Sequence, residues 1–129
     1  MKDRSAILMG GKKADLAVWF NKKVGKFETS SYYGPTPSWV DKFNAGLKAP
    51  KDVLFTPEAD SILLDLVEEA LGQYRLGEDA HPDILAVSFS ATDYIGHKYG
   101  PNSPQMKKQL AHLDAVLGEL IGILSVQVG

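Results

Sequence analysis

The sequence predicts an α/β fold, and three observations carry that prediction. Two long segments, around 57–71 and 104–124, place apolar residues at helical spacing, and each opens on a Thr-Pro or Ser-Pro pair. Between them Asp83-Ile84-Leu85-Ala86-Val87-Ser88-Phe89 is a nearly unbroken apolar run, the pattern of a parallel strand covered on both faces. Nearer the N-terminus, two short strand-prone runs flank a glycine-bearing turn and add a small β-hairpin.

Taken in order, Ser5 to Met9 is a short apolar stretch closed by Gly10-Gly11, readable as a helical turn or a strand. Ala17 to Phe20 and Lys26 to Tyr33 read as the two hairpin strands, joined by Asn21-Lys22-Lys23-Val24-Gly25. Thr36-Pro37 is expected to open a short helix, with threonine as N-cap and proline at the first helical position. Trp39, Val40 and Phe43 would form its buried face, and Gly46 would end it. Leu47 to Phe55 is a linker with lysines and Pro50.

Thr56-Pro57 repeats the cap device and starts a longer helix to about Leu71. Ile62, Leu63, Leu66, Val67, Ala70 and Leu71 keep the helical period, and Glu58, Asp65, Glu68 and Glu69 fall mostly outside it. Glu58 and Asp60 in the first turn suit the helix dipole. A polar turn from Gly77 to Pro82 leads into the strand, and Ser90 to Pro101 reads as a loop rich in polar and ring-bearing residues. Ser103-Pro104 caps the last helix, where Met106, Leu110, Leu113, Leu117, Leu120, Ile121 and Leu124 form a stripe. Helix, strand, loop and helix make one α/β unit.

Composition narrows the function. With 129 residues and 44% hydrophobic content the chain can fill one core. Fourteen basic residues against sixteen acidic ones give no electrostatic case for nucleic acid as a partner. No unbroken run of 18 apolar residues occurs, so a membrane span is excluded on this reading. Without cysteine there are no disulfides, thiolate zinc sites or cysteine nucleophiles. Met1 is followed by Lys2-Asp3-Arg4 and not by an apolar run, so no signal peptide is expected in this chain. It is read as either cytoplasmic or cut at its N-terminus.

The segment Ser90-Ala91-Thr92-Asp93-Tyr94-Ile95-Gly96-His97-Lys98-Tyr99-Gly100-Pro101 carries the chemistry. It begins where the expected strand ends, the place where open α/β sheets bind ligands. Asp93 and His97 are four residues apart, so one turn of chain brings both to a single ion, and carboxylate oxygen and imidazole nitrogen are both zinc donors. Gly96 is expected to relieve crowding beside the imidazole and let the loop bend. Spacing alone leaves an ordinary alternative, an Asp that caps a turn beside a solvated His. His81 and His112 are expected to be solvated.

The whole string from Ser88 to Ser103 closely resembles the metal-binding loop of the type I phosphodiesterase/nucleotide pyrophosphatase branch of the alkaline phosphatase superfamily. Within that branch it looks most like bacterial alkaline phosphatases with a threonine nucleophile. The resemblance implies that Asp93 and His97 ligate one zinc of a two-zinc centre. Lys2-Asp3-Arg4-Ser5-Ala6-Ile7-Leu8 resembles the same enzymes, and there the Lys and Arg hold the phosphoryl oxygens, which assigns phosphate binding to Lys2 and Arg4. The chemistry is apt: arginine offers phosphate a planar fork of donors and lysine a compact charge. Ala17-Val18-Trp19-Phe20, Thr29 to Tyr33, Pro37 to Val40 and Phe43-Asn44 also look like family sequence. The link from Asn44 to Thr56 looks shorter than the family's.

By this resemblance the fold is part of an alkaline-phosphatase-like α/β core with a small β-hairpin insertion. Residues 1–129 form a single partial domain, with a phosphate-clamp and hairpin segment at 1–46 and an α/β metal-loop segment at 56–129. The implied function is zinc-dependent hydrolysis of small-molecule phosphate monoesters through a phospho-threonine intermediate, in a periplasmic or secreted parent protein. The nucleophile and the remaining ligands would lie outside this chain, so the isolated polypeptide is expected to lack turnover. The alternatives are a phosphodiesterase or nucleotide pyrophosphatase of the same superfamily, and a non-catalytic domain that keeps the fold.

Overall fold

The computed structural model describes residues 2–127. The chain start at Met1 and the end at Val128-Gly129, both used in the sequence reading, lie outside the described residues. Two compact units are present, Met1–Lys51 with Ala86–Ser88 and Asp52–Leu85 with Phe89–Gly129.

In the first unit the open choice at Ser5–Met9 resolves to helix: Asp3–Gly10 is α1. It stops because Gly11 takes φ 59°, and its amide returns to the Ile7 carbonyl at 2.9 Å. Strands β1 (Trp19–Asn21) and β2 (Lys26–Glu28) form an antiparallel hairpin with Phe20 opposite Phe27. The second strand is shorter than predicted. Beyond Glu28 the Ser30 hydroxyl accepts from the Tyr32 amide at 3.3 Å and bends Ser31–Tyr33 into a 3-10 turn.

Helix α2 (Ser38–Gly46) packs on β2, and one side chain explains why. Asn44 accepts from the Phe27 amide and donates to the Phe27 carbonyl, both at 2.8 Å, as a neighbouring strand would. Phe27 meets Phe20 and Phe43 edge to face at 5.3 and 5.7 Å. The N-cap expectation shifts by one residue. Pro37 holds the cap position with an extended ψ of 143°, and its carbonyl accepts from the Val40 amide at 2.9 Å.

The second unit is helical. A 3-10 turn at Val53–Phe55 precedes α3 (Glu58–Tyr74), followed by α4 (Ala91–Tyr99) and α5 (Pro104–Gln127). The predicted face of α3 is buried at Leu63, Leu66, Val67 and Leu71, joined by Ala59, Asp60 and Leu64. Thr56 does not cap it. Its hydroxyl donates back to the Val53 carbonyl at 2.9 Å, and Pro57 stands at the cap. The Ser103 cap of α5 is as expected: the Ser103 hydroxyl accepts from the Met106 amide at 3.1 Å.

Four expectations are corrected. Asp83–Phe89 forms no ladder among the described residues, and Ile84 is 93% exposed. Extended chain becomes a strand only beside a neighbour, and β1–β2 is the one sheet described. The expected loop at 90–101 is helical over most of its length, as α4. The stripe on α5 is split: Met106 and Val116 are buried with Gln109 between them, while Leu110, Leu117 and Ile121 face outward. By length and composition α5 is long and apolar enough to cross a membrane, so the missing unbroken run does not by itself exclude a span. Apolar residues on two sides are the pattern of a helix covered twice.

Candidate metal and phosphate sites

Helix α4 is seated by Ala91 and Ile95, each only 1% exposed. Positions 93 and 97 lie about half a turn from that seat and one turn from each other, so both side chains point away from the core. Asp93 Oδ1 and His97 Nε2 stand 3.6 Å apart. Two donors on one tetrahedral zinc, at bond lengths of about 2.0–2.2 Å, sit roughly 3.3 Å from each other. The pair therefore fits a shared zinc in donor type and in spacing. Among the described residues no third His, Cys, Asp or Glu joins them, and a zinc site takes about three or four protein ligands.

The flanks of α4 are fixed by packing. Tyr94 meets Phe55 edge to face at 5.7 Å, and the Lys98 ammonium lies 4.5 Å from the Phe55 ring centre. Gly96 plays a different part from the one expected. It sits within the helix and faces Met106, whose terminal carbon would lie 3.0 Å from a Cβ there. The glycine lets α4 and α5 approach; it does not bend a loop.

Beneath the first turn of α4 lies a polar group that the sequence reading placed only as a dipole partner. Asp60 is 0% exposed. Its Oδ2 accepts from Gln109 Nε2 at 2.6 Å, and its Oδ1 faces the Ala91 amide at 3.4 Å. Gln109 Nε2 also reaches Thr92 Oγ1 at 3.3 Å. Burial pushes the Asp60 carboxyl above its usual range, against the hydrogen bonds from Gln109 and Ala91. The available signal was register: Gln109 falls on the seam of Met106 and Val116, and Asp60 on that of Ala59, Leu63 and Leu64. The expectation for His112 is also corrected, since its Nε2 pairs with Ser61 Oγ at 2.8 Å. His81 is exposed as expected, beside Asp79.

Lys2 and Arg4 belong to the first unit. Lys2 stands at the N-cap of α1, with Arg4 exposed in its first turn. The Arg4 amide donates to Asp3 Oδ1 at 2.7 Å, so one free N–H of the helix end is already satisfied. Two cationic side chains at a helix N-terminus, where the dipole also favours negative charge, suit a phosphate group.

Comparison with known proteins identifies the family. The family model described as type I phosphodiesterase/nucleotide pyrophosphatase matches residues 2–126. The alkaline phosphatase PhoV of Synechococcus elongatus is 28% identical over an alignment that takes in 100% of this chain and 33% of that protein. The alkaline phosphatase PafA of Elizabethkingia meningoseptica is likewise 28% identical, over 100% of this chain and 33% of its own. A crystal structure of wild-type alkaline phosphatase PafA superposes with a TM-score of 0.89 at 27% identity, covering 99% of this chain and 35% of that one. The fold is thus part of the alkaline phosphatase α/β fold. The chain spans about a third of the length of the curated relatives it matches.

Proposed function

The chain belongs to the type I phosphodiesterase/nucleotide pyrophosphatase family, and from that premise we propose that it is part of a zinc-dependent phosphomonoesterase. The observation that carries this reading is the convergence of Asp93 and His97 at 3.6 Å on an outward helix face. Asp93 and His97 would hold one zinc of a two-zinc centre, with a threonine nucleophile and the other ligands supplied from beyond this chain. Bound zinc supplies charge that activates an oxygen nucleophile and stabilises the leaving oxygen.

The roles of this chain's own residues follow from their chemistry. Lys2 and Arg4 would bind the non-bridging oxygens of a small-molecule phosphate ester, orient the phosphoryl group and take up the negative charge of its transfer. His97 binds metal as neutral imidazole and Asp93 as carboxylate, so metal uptake competes with protons at both. Export to the periplasm or beyond the cell belongs to the same proposal, on the strength of the family likeness.

Hydrolysis of phosphodiesters or nucleotide pyrophosphates is the second reading, and the description of the matching family favours it. Lys2 and Arg4 separate the two. A monoester dianion has more charge for a paired clamp than a diester with its second substituent. In the protein as its gene encodes it, Lys2→Ala with Arg4→Ala should lower kcat/KM for a chromogenic phosphate monoester by on the order of 10²–10³. Diester hydrolysis should fall much less. Monoester turnover that survives the double substitution removes the basis for preferring a monoesterase over a diesterase.

A further inference from the structure

We propose that Asp60 is a positioning residue for the metal-holding face of α4, acting on Ala91 directly and on Thr92 through Gln109. This rests on the reading of Asp93 and His97 as metal ligands. What aims those two side chains is the rotation of α4 about its own axis, because a shift by one residue turns the face by about 100°. Several contacts hold that rotation, Tyr94 and Lys98 on Phe55 among them. Ala91 and Ile95 seat the helix on an apolar surface, which is not directional. Gly96 against Met106 sets the approach at the C-terminal half.

At the N-terminal half one buried carboxylate adds directional bonds. Ser90, at the cap position, makes no side-chain cap bond. Asp60 takes that place from α3, with Oδ1 toward the Ala91 amide and Oδ2 on Gln109. The second hydrogen of the Gln109 amide reaches the Thr92 hydroxyl, next in sequence to Asp93. Three helices thus meet on Asp60 at the turn that carries the first metal-binding carboxylate.

The arrangement is not what stability alone selects. Gln109 Oε1 is buried without a hydrogen-bond partner, and apolar residues would fill the same space with no orphaned acceptor. A buried polar bridge under ligand-bearing backbone is, however, what outer support of a metal site requires.

The test uses the protein as its gene encodes it, with Asp60→Ala, Asp60→Asn, Gln109→Met and Asp93→Ala. Zinc affinity is measured by competition with a chelating dye, cobalt(II) is substituted to read ligand geometry from its visible absorption, and melting is followed metal-free. Asp60→Ala and Gln109→Met should raise the zinc dissociation constant by about 10- to 100-fold and alter the cobalt spectrum. Asp60→Asn, which keeps the shape and one acceptor, should lie between them and the parent. A lower metal-free melting temperature with unchanged zinc affinity and cobalt spectrum makes Asp60 merely structural and overturns the inference. Should the Asp60 variants not fold, Gln109→Met decides the question by the same readings. Asp93→Ala separates the two levels: unchanged zinc affinity there removes the metal reading itself, whereas lost affinity there with normal Gln109→Met removes the inference alone.

Discussion

Asp93 and His97 are a local pair, four residues apart on one helix, and their convergence at 3.6 Å needs no more than the geometry of one turn. That spacing was legible in the sequence, and the resemblance of the surrounding string gave it a metal-binding meaning. Asp60 and Gln109 were not, because they are 49 residues apart and their bond exists only once α3 and α5 have packed. Burial also gives Asp60 a pH signature. Its carboxyl is raised above the ordinary 3.8 by desolvation, so the folded chain holds that proton more tightly than the unfolded chain does. The resulting stability is fully present below the unfolded pKa and is lost as pH rises through the folded value. Denaturant unfolding of the metal-free protein across the acid range should show the decline, and Asp60→Asn should flatten it. An identical slope in that variant would mean that Asp60 titrates as an exposed carboxyl.

At the scale of elements, the amphipathic period placed α3 and α5 correctly, and the signals that missed were those with two physical outcomes. A Thr-Pro or Ser-Pro pair marks a helix start, but the hydroxyl chooses its partner from the local backbone. Ser103 caps α5, whereas Thr56 turns back to the Val53 carbonyl. Ser103→Ala should therefore cost about 1 kcal/mol. Asn44→Ala removes both bonds to the Phe27 backbone from a partly buried site and should cost about 1–3 kcal/mol. Chemical denaturation measures both, and a loss for Asn44→Ala no larger than that of an exposed polar residue would show that water replaces the amide. The Ile84 run was read as strand because apolar, branched chain fits a sheet, but pairing belongs to a neighbour and not to the segment.

For the molecule as a whole, the likeness to alkaline phosphatases runs along the entire chain, yet covers about a third of each relative. Family membership was legible because the strings from Ser88 to Ser103 and from Lys2 to Leu8 resemble family sequence, and the family model matches residues 2–126. The open side of α5, with Leu110, Leu117 and Ile121 exposed, was not, since a periodic stripe shows that a face is apolar and not which surface covers it. The proposed function depends on metal held by α4. Elemental analysis of the purified gene product, with and without Asp93→Ala and His97→Ala, measures that most directly. The prediction is two zinc ions per molecule in the parent and a loss of at least one in the double variant. An undiminished zinc content in the double variant would contradict it.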